Sequence, residues 1–171
     1  MNFYNCLNSN FFQYGINNLV PIRSKDKELI RNWRNEQMFH LRQDKLLSDE
    51  DQNKYFNQVI YKLFDQKYPE QVLFSLLEND TCIGYGGLVH INWKIKTAEL
   101  SFIMDSSLEK DYFNKNWEIF LKLIEDVAFN DLNFSKIYTH AFDIRPKLYK
   151  SLLNEGFSFE SRIKSQYLYN G

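Results

Sequence analysis

Residues 97–132 read TAELSFIMDSSLEKDYFNKNWEIFLKLIEDVAFNDL, and the fold follows from this stretch. Its first part, residues 97–104, is a mostly apolar run that ends at a polar segment, as strands often do. Its last part carries apolar side chains at spacings of three and one from Trp117 to Ala128, which predicts an amphipathic helix over residues 114–132. The stretch therefore predicts a strand, a polar turn and a long helix.

Two short helices are predicted before this stretch. Ser24 is placed to cap the first helix, which begins with charged residues and carries Ile30 and Trp33 on one side. Ser48 and Asp51 resemble a capping box at the start of the second helix, with Asp in the place of Glu.

The other elements complete an α+β pattern. Two apolar runs separated by Glu78-Asn79-Asp80 predict a hairpin, and a further turn joins it to residues 97–104 as an antiparallel meander. Gly156 is placed to end the last helix. The predicted elements outside residues 97–132 are strands at 72–77, 82–91 and 136–142, a helix at 146–155 and an extended stretch at 157–169, which gives the order ααβββαβαβ.

Composition indicates one globular domain. The chain has 171 residues, of which 44% are hydrophobic, and this is enough for a substantial core. Residues 1–18 have weak periodicity and are expected to form a partly ordered extension of this domain. No Pro/Gly/Ser linker or repeat divides the sequence.

Charge and hydropathy exclude several kinds of partner. A net charge of -1 gives no broad basic surface for nucleic acid. No apolar run is long enough to span a membrane and no secretory signal is evident, so we expect a cytoplasmic protein. Cys6 and Cys82 form no closely spaced pair, which predicts reduced thiols and no bound metal.

The polar segment between the predicted strand and helix is a candidate anion site. The first N–H groups of a helix are unpaired and favour negative charge. Lys110, Asn114, Lys115 and Asn116 are residues able to contact phosphate oxygens. The alternative is a polar surface loop that caps an ordinary core helix.

Four segments give the sequence a family resemblance. They are LIRNWRN at 29–35 followed by SDED at 48–51, IGYGGL at 83–88, AELSF at 98–102 and NEGF at 154–157. Together they resemble the GNAT superfamily of N-acetyltransferases, and are similar to its ribosomal-protein alanine and sugar N-acetyltransferase branch. The resemblance covers about residues 19–169. It implies a mixed central sheet, with an antiparallel meander and splayed parallel fourth and fifth strands, and helices on both faces.

The resemblance also implies acetyl-CoA as co-substrate, with no metal. In this family the pantetheine arm pairs with main-chain groups near the end of the fourth strand, here Phe102, Ile103 and Met104. The pyrophosphate turn of the family aligns best with Tyr112–Trp117, which lacks its glycines. Three outcomes stay open: side chains of Lys115 and Asn116 replace the amide contacts, the turn shifts toward Lys110, or coenzyme binding is lost.

Further positions carry expected roles from the same resemblance. Arg145 stands where relatives often use Asn to contact the coenzyme, and a guanidinium can bind phosphate there. Glu99 matches a carboxylate that accepts the proton of the amine in several relatives, although a salt-bridge role fits it nearly as well. The tyrosine that returns a proton to the thiolate is replaced by Leu152, which leaves Tyr149, one turn earlier, as the candidate or as a packing residue.

The acceptor is expected between the first two helices, the turn after the third strand of the fold and the C-terminal tail. An amino sugar, preferably nucleotide-linked, is the predicted acceptor, with protein N-termini, polyamines and a non-catalytic binding module as alternatives. A small-molecule partner and a homodimer are both compatible with the sequence. The residues expected to contact the acceptor are Arg34, Asn35, Arg42, His90, Asn92 and Trp93, and of these Arg34 and Arg42 are expected to hold the diphosphate of a nucleotide sugar.

Overall fold

A computed structural model describes residues 2–164 and contains a six-stranded sheet in the order β1-β2-β3-β4-β5-β6. Neighbouring strands are antiparallel except β5 and β6, which are parallel. The strands are β1 (Phe12–Tyr14), β2 (Asn17–Pro21), β3 (Val72–Glu78), β4 (Thr81–Asn92), β5 (Thr97–Met104) and β6 (Lys136–Tyr138).

Helices cover both faces of this sheet, which confirms the predicted α+β GNAT architecture. They are α1 (Lys27–Glu36), α2 (Asp49–Tyr55), α3 (Tyr61–Leu63), α4 (Glu109–Glu125) and α5 (Pro146–Asn154). Short 3-10 turns lie at Ser24–Asp26, Met38–His40 and Ser106–Leu108, and π-helical turns at Phe56–Ile60 and Asp126–Asp131. The predicted splayed strands are β5 and β6.

The N-terminal residues contribute more than the sequence predicted. They add the hairpin β1–β2, whose turn contains Gly15 at φ +60°, and β2 then pairs with β3. The hairpin was missed because its residues include several Asn and only a short apolar run. Tyr4 anchors the segment before it, since its buried hydroxyl donates to the Leu73 carbonyl and accepts from the Leu73 N–H.

Helix α4 begins at Glu109, before the predicted residue 114. Phe113 is buried and extends the apolar stripe toward the N-terminus, so the helix has a core contact one turn earlier than expected. Asp105 starts the preceding 3-10 turn by accepting from the Ser107 N–H. The prediction of a turn at Tyr112–Trp117 is therefore wrong, because these residues are helical.

Two of the three predicted helix ends are confirmed and one is wrong. Ser48 and Asp51 form the expected capping box. Ser24 does not cap α1; it opens the 3-10 turn instead. Gly156 follows α5 at φ +90°, as predicted. Strand β6 is shorter than predicted, and part of the extended stretch predicted at 157–169 lies outside the described residues.

Aromatic packing fixes β5 against α4. The Phe102 ring stacks on Phe120 with centroids 4.0 Å apart, and the Trp117 ring meets Phe102 edge-on at 5.0 Å. Since alternate strand residues face opposite sides, Leu100, Phe102 and Met104 face α4, while Glu99 faces the side of α1. The core therefore determines which face of β5 presents Glu99.

We expect Phe120→Ala to destabilise the protein by about 3–5 kcal/mol, because it removes a fully buried ring and leaves a cavity. Chemical denaturation monitored by circular dichroism measures this change. Phe159→Ala is the matched control: its ring is 70% exposed, so the change should stay within about 0.5 kcal/mol. Equal losses in the two variants would contradict this description of the core.

Candidate active site

The site is built where β5 and β6 separate. Their parallel pairing runs from Thr97 and Lys136 to Glu99 and Tyr138, and β5 then continues alone on this side as far as Met104. One further bond, from the Thr139 hydroxyl to the Leu100 carbonyl at 3.2 Å, follows the last pair. Beyond this bond, β5 and the segment that follows β6 are no longer paired, which leaves an opening between them beside the end of β5.

Main-chain groups of β5 face this opening at alternate residues. The Asp105 N–H donates to Ile83 of β4, so odd-numbered residues, including Ile103, direct their N–H and C=O groups toward β4. Phe102 and Met104 direct theirs toward the opening. The Met104 carbonyl accepts a 2.8 Å bond from the Gln37 side chain. Three residues were predicted to pair with pantetheine. The main chain of Phe102 faces the opening, the Met104 carbonyl faces it but is bonded to Gln37, and the main chain of Ile103 pairs with β4.

Glu99 lies at the point of separation and its carboxylate is buried. Its side chain is only 7% exposed, and Oε1 accepts a hydrogen bond from Arg42 Nη2. Oε2 lies 3.7 Å from His90 Nε2 and 3.6 Å from His140 Nδ1. A guanidinium and two imidazoles thus surround one carboxylate at the mouth of the opening.

The three partners of Glu99 come from different parts of the chain. Arg42 lies in the loop between α1 and α2, and His90 lies in β4 at φ +49°, where the pairing with β5 shifts. His140 follows β6 by two residues. Sequence reasoning missed His140. In the strand predicted at 136–142, Tyr138 and His140 are two residues apart and therefore lie on one face, the face that Glu99 occupies in the neighbouring strand.

A groove of about 680 Å³ lies next to this cluster. It brings together His90, Asn92 and Trp93, three of the residues predicted to contact the acceptor, and adds the carboxylate of Glu70. Trp93 is fixed by a 2.8 Å bond from its indole N–H to the Pro69 carbonyl. The groove is open to solvent, and His90 belongs both to it and to the cluster around Glu99.

The remaining predicted acceptor residues bond within the protein. Arg34 donates to the Tyr85 hydroxyl at 2.8 Å and to Gln43 at 3.0 Å. Asn35 binds the main-chain N–H and carbonyl of Leu47 at 2.8 and 2.9 Å. These bonds hold the loop that carries Arg42, so Arg34 and Asn35 support the site indirectly.

The residues predicted to bind phosphate are dispersed along α4. Lys115 pairs with Glu78 at 3.1 Å, Asn114 accepts from Ser151 at 3.2 Å, and Asn116 is buried. Because these three belong to a regular helix, they do not form the expected turn. Lys110 is exposed in the first turn of α4 and makes no ion pair with any residue between 2 and 164.

Arg145 is part of a network at the start of α4. Its guanidinium donates to Glu109 at 2.6 Å, lies 3.3 Å from His40 Nδ1 and is only 11% exposed. Burial, and then the positive charge of Arg145, lower the pKa of His40 to about 4. His40 is therefore neutral at neutral pH and can accept from the guanidinium.

Tyr149 lies on α5 and donates a 2.8 Å bond to the Phe142 carbonyl. Burial, and then the nearby negative charge of Asp143, raise the pKa of its phenol. The phenol thus stays protonated at neutral pH, which a proton donor needs, but its hydrogen is already bonded to Phe142.

With this geometry established, the family is clear. The acetyltransferase (GNAT) domain model matches residues 19–171, and the chain belongs to this family of N-acetyltransferases, whose acyl donor is acetyl-CoA. The finer resemblance to the ribosomal-protein alanine and sugar branch stays a prediction. A search of curated protein sequences gave no significant match.

Solved structures share the fold. Spermidine N-acetyltransferase from Vibrio cholerae in complex with CoA and spermine is similar with a TM-score of 0.77 and 22% identity, over 91% of this chain and 89% of that chain. A dodecameric structure of the Vibrio cholerae enzyme in an intermediate state gives a TM-score of 0.72 and 22% identity, over 91% and 87% of the two chains.

Between residues 2 and 164, no helix is long and apolar enough to cross a membrane. Within the same residues, no three His, Cys, Asp or Glu side chains are grouped so that they could hold a metal ion.

We expect the protein to lose stability as the pH falls from about 6.5 to 4, partly because of His40. The folded state keeps this imidazole neutral, whereas the unfolded chain binds the extra proton in that range, so acid favours unfolding. His40→Gln should flatten this part of the curve. Denaturant unfolding at a series of pH values measures it, and an unchanged slope in the variant would contradict the assignment.

Proposed function

We propose that this protein transfers the acetyl group of acetyl-CoA to a primary amine of a small molecule, by direct attack in a ternary complex. The observation that supports it most is the opening between β5 and β6, which begins beside the buried carboxylate of Glu99. Main-chain donors and acceptors lie along one side of this opening and ionisable side chains lie at its mouth. Such an arrangement can hold a thioester next to groups that move protons.

In this proposal the coenzyme follows the unpaired edge of β5. The pantetheine amides bond to the main chain of Phe102, and the pyrophosphate lies near the first turn of α4. Two of the three carboxylates there are already engaged, since Asp105 accepts from Ser107 and Glu109 accepts from Arg145, while Asp111 follows Lys110 in the same turn. Lys110 is then the cation available to phosphate, which corresponds to the predicted alternative of a turn shifted toward Lys110.

The chemical step needs the amine in its neutral form. An alkyl ammonium must lose a proton before its nitrogen can attack, and the Glu99 cluster supplies groups able to accept it. The thiolate that leaves needs a proton, and Tyr149 is our candidate donor because its phenol stays protonated. For this step the Tyr149 hydroxyl would release the Phe142 carbonyl and donate to the sulfur instead. The chain's main contribution is to position the two substrates.

For the acceptor we favour a polyamine over a nucleotide-linked amino sugar. Arg34 and Arg42, the two arginines predicted to bind a diphosphate, are both engaged within the protein. The groove instead offers the Glu70 carboxylate, which suits an alkyl ammonium group, whereas the Trp93 ring is already approached by Lys96 Nζ at 5.6 Å. The similar Vibrio cholerae structure that holds CoA and spermine supports the same choice.

A test of this proposal offers the purified protein acetyl-CoA with spermidine, spermine, a nucleotide-linked amino sugar or a peptide with a free N-terminus. We expect thiol release and an acetylated product, found by mass spectrometry, with the polyamines. Glu99→Gln should lower kcat/KM by roughly 100-fold, a typical loss for a group in proton transfer. Turnover of the nucleotide sugar alone would refute the polyamine assignment. Failure with every amine would favour the non-catalytic alternative.

The coenzyme position has its own test. Lys110→Ala should weaken CoA binding roughly tenfold, because one charge-assisted contact to phosphate is lost. Lys115→Ala is the matched control, because it also removes one lysine charge from α4. Lys115 is paired with Glu78, so this variant should leave the affinity for CoA unchanged. Isothermal titration calorimetry measures both. Equal affinities for the two variants would place the pyrophosphate elsewhere, and the absence of any heat with the wild-type protein would remove the basis of the enzyme proposal.

A further inference from the structure

Two imidazoles share the buried carboxylate of Glu99, and they are not equivalent. Resting on the proposed function, we propose that His140 accepts the proton lost by the attacking ammonium, and that Glu99 is the positioning residue that holds this imidazole.

The orientation of the His140 ring favours this role. Its Nδ1 lies 3.6 Å from Glu99 Oε2, so a small rotation of the ring brings it into hydrogen-bond range. A carboxylate beside Nδ1 favours the tautomer with the hydrogen on that nitrogen. The lone pair is then on Nε2, at the far end of a side chain that is 63% exposed. His140 therefore presents a proton acceptor to the opening between β5 and β6.

Glu99 is badly placed to accept the proton itself. Its carboxylate is 7% exposed, Oε1 is bonded to Arg42, and Oε2 faces two imidazoles whose side chains are 67% and 63% exposed. The imidazoles are therefore more accessible to an ammonium group than the carboxylate is. Glu99 thus acts on the imidazole of His140 from its Nδ1 side, where it holds the ring in place.

His90 shares the same carboxylate oxygen in the opposite orientation. Its Nε2 faces Glu99 at 3.7 Å, which leaves Nδ1, the nitrogen nearer the main chain, as the free one. His90 also lines the groove beside Trp93, whereas His140 follows β6 at the edge of the opening. We therefore assign His90 to contact with the acceptor and His140 to proton transfer.

The surroundings of His140 supply the other groups that affect its protonation. The negative charge is that of Glu99, and the positive charge of Arg42 lies on the far side of this carboxylate. His90 approaches from β4, and the Tyr138 ring meets the imidazole edge-on at 5.5 Å from β6.

The protons balance in this scheme. The ammonium gives one proton to His140 Nε2, and the neutral nitrogen then forms a bond to the thioester carbonyl carbon. The carbon–sulfur bond breaks, and the thiolate takes the phenol proton of Tyr149. The second proton lost by the nitrogen restores Tyr149, and the imidazolium returns its proton to solvent. The products are the N-acetylated amine and free CoA.

The experiment compares His140→Asn with His90→Asn, two matched changes at exposed rings beside the same carboxylate. At neutral pH, His140→Asn should lower kcat/KM for spermidine by roughly 100-fold. The loss should shrink as the pH approaches about 10, because alkyl amines then lose the proton without help. His90→Asn should raise KM for the acceptor and keep the acidic limb of the pH–rate profile. His140→Gln serves as a second variant and should behave like His140→Asn.

CoA affinity and melting temperature distinguish a loss of chemistry from a loss of structure, and both should match the wild-type values in the His140 variants. A wild-type pH–rate profile in His140→Asn would overturn the assignment, and so would a loss of the same size at every pH. Absence of acetyl transfer to any amine by the wild-type protein, with CoA still bound, would instead refute the proposed function and the inference with it.

Discussion

The site depends on where the hydrogen bonds between β5 and β6 stop. β4 pairs with β5 along its whole length, whereas β6 leaves after the pair formed by Glu99 and Tyr138. If the pairing continued to Met104, no main-chain group of β5 would be available to a ligand. Because it stops at Glu99, the same point of separation produces both the free edge of the strand and the position of the carboxylate.

The packing on the other face makes this edge rigid. Phe102 stacks on Phe120, so the residue whose main chain faces the opening has its side chain fixed in the core. Glycines of β4 support the same geometry, because a Cβ at Gly86 would collide with the Ser101 carbonyl oxygen. Strand β5 is thus fixed by β4 and α4 and needs no second neighbouring strand at its end.

Much of this architecture could be predicted from the sequence because the signals are local. The Ser48 capping box, β5 and the Gly156 helix end follow from residues a few positions apart. The predicted start of α4 was wrong because the apolar stripe was counted from Trp117, whereas Phe113, one turn earlier, also belongs to it. The hairpin β1–β2 was missed because its few core residues, such as Phe12 and Leu19, lie among polar ones.

The charge pairs of the site could not be predicted in the same way. Arg42 and Glu99 are far apart in the sequence, as are Arg145 and Glu109, and no periodicity relates them. Composition shows that a chain has arginines, but only the fold shows whether a carboxylate already engages them. The sequence therefore singled out Glu99 as a candidate and gave no sign that Arg34 and Arg42, the predicted diphosphate ligands, bond within the protein.

The bond from Gln37 to the Met104 carbonyl has a consequence for affinity. This amide occupies an acceptor at the end of the same strand edge that the proposed coenzyme uses, and it also contacts the Ser106 hydroxyl. A ligand donor must share this carbonyl with Gln37 or displace the amide, and where it displaces the amide one hydrogen bond replaces another with little net gain in free energy. Gln37 thus competes with a ligand for the last carbonyl of β5.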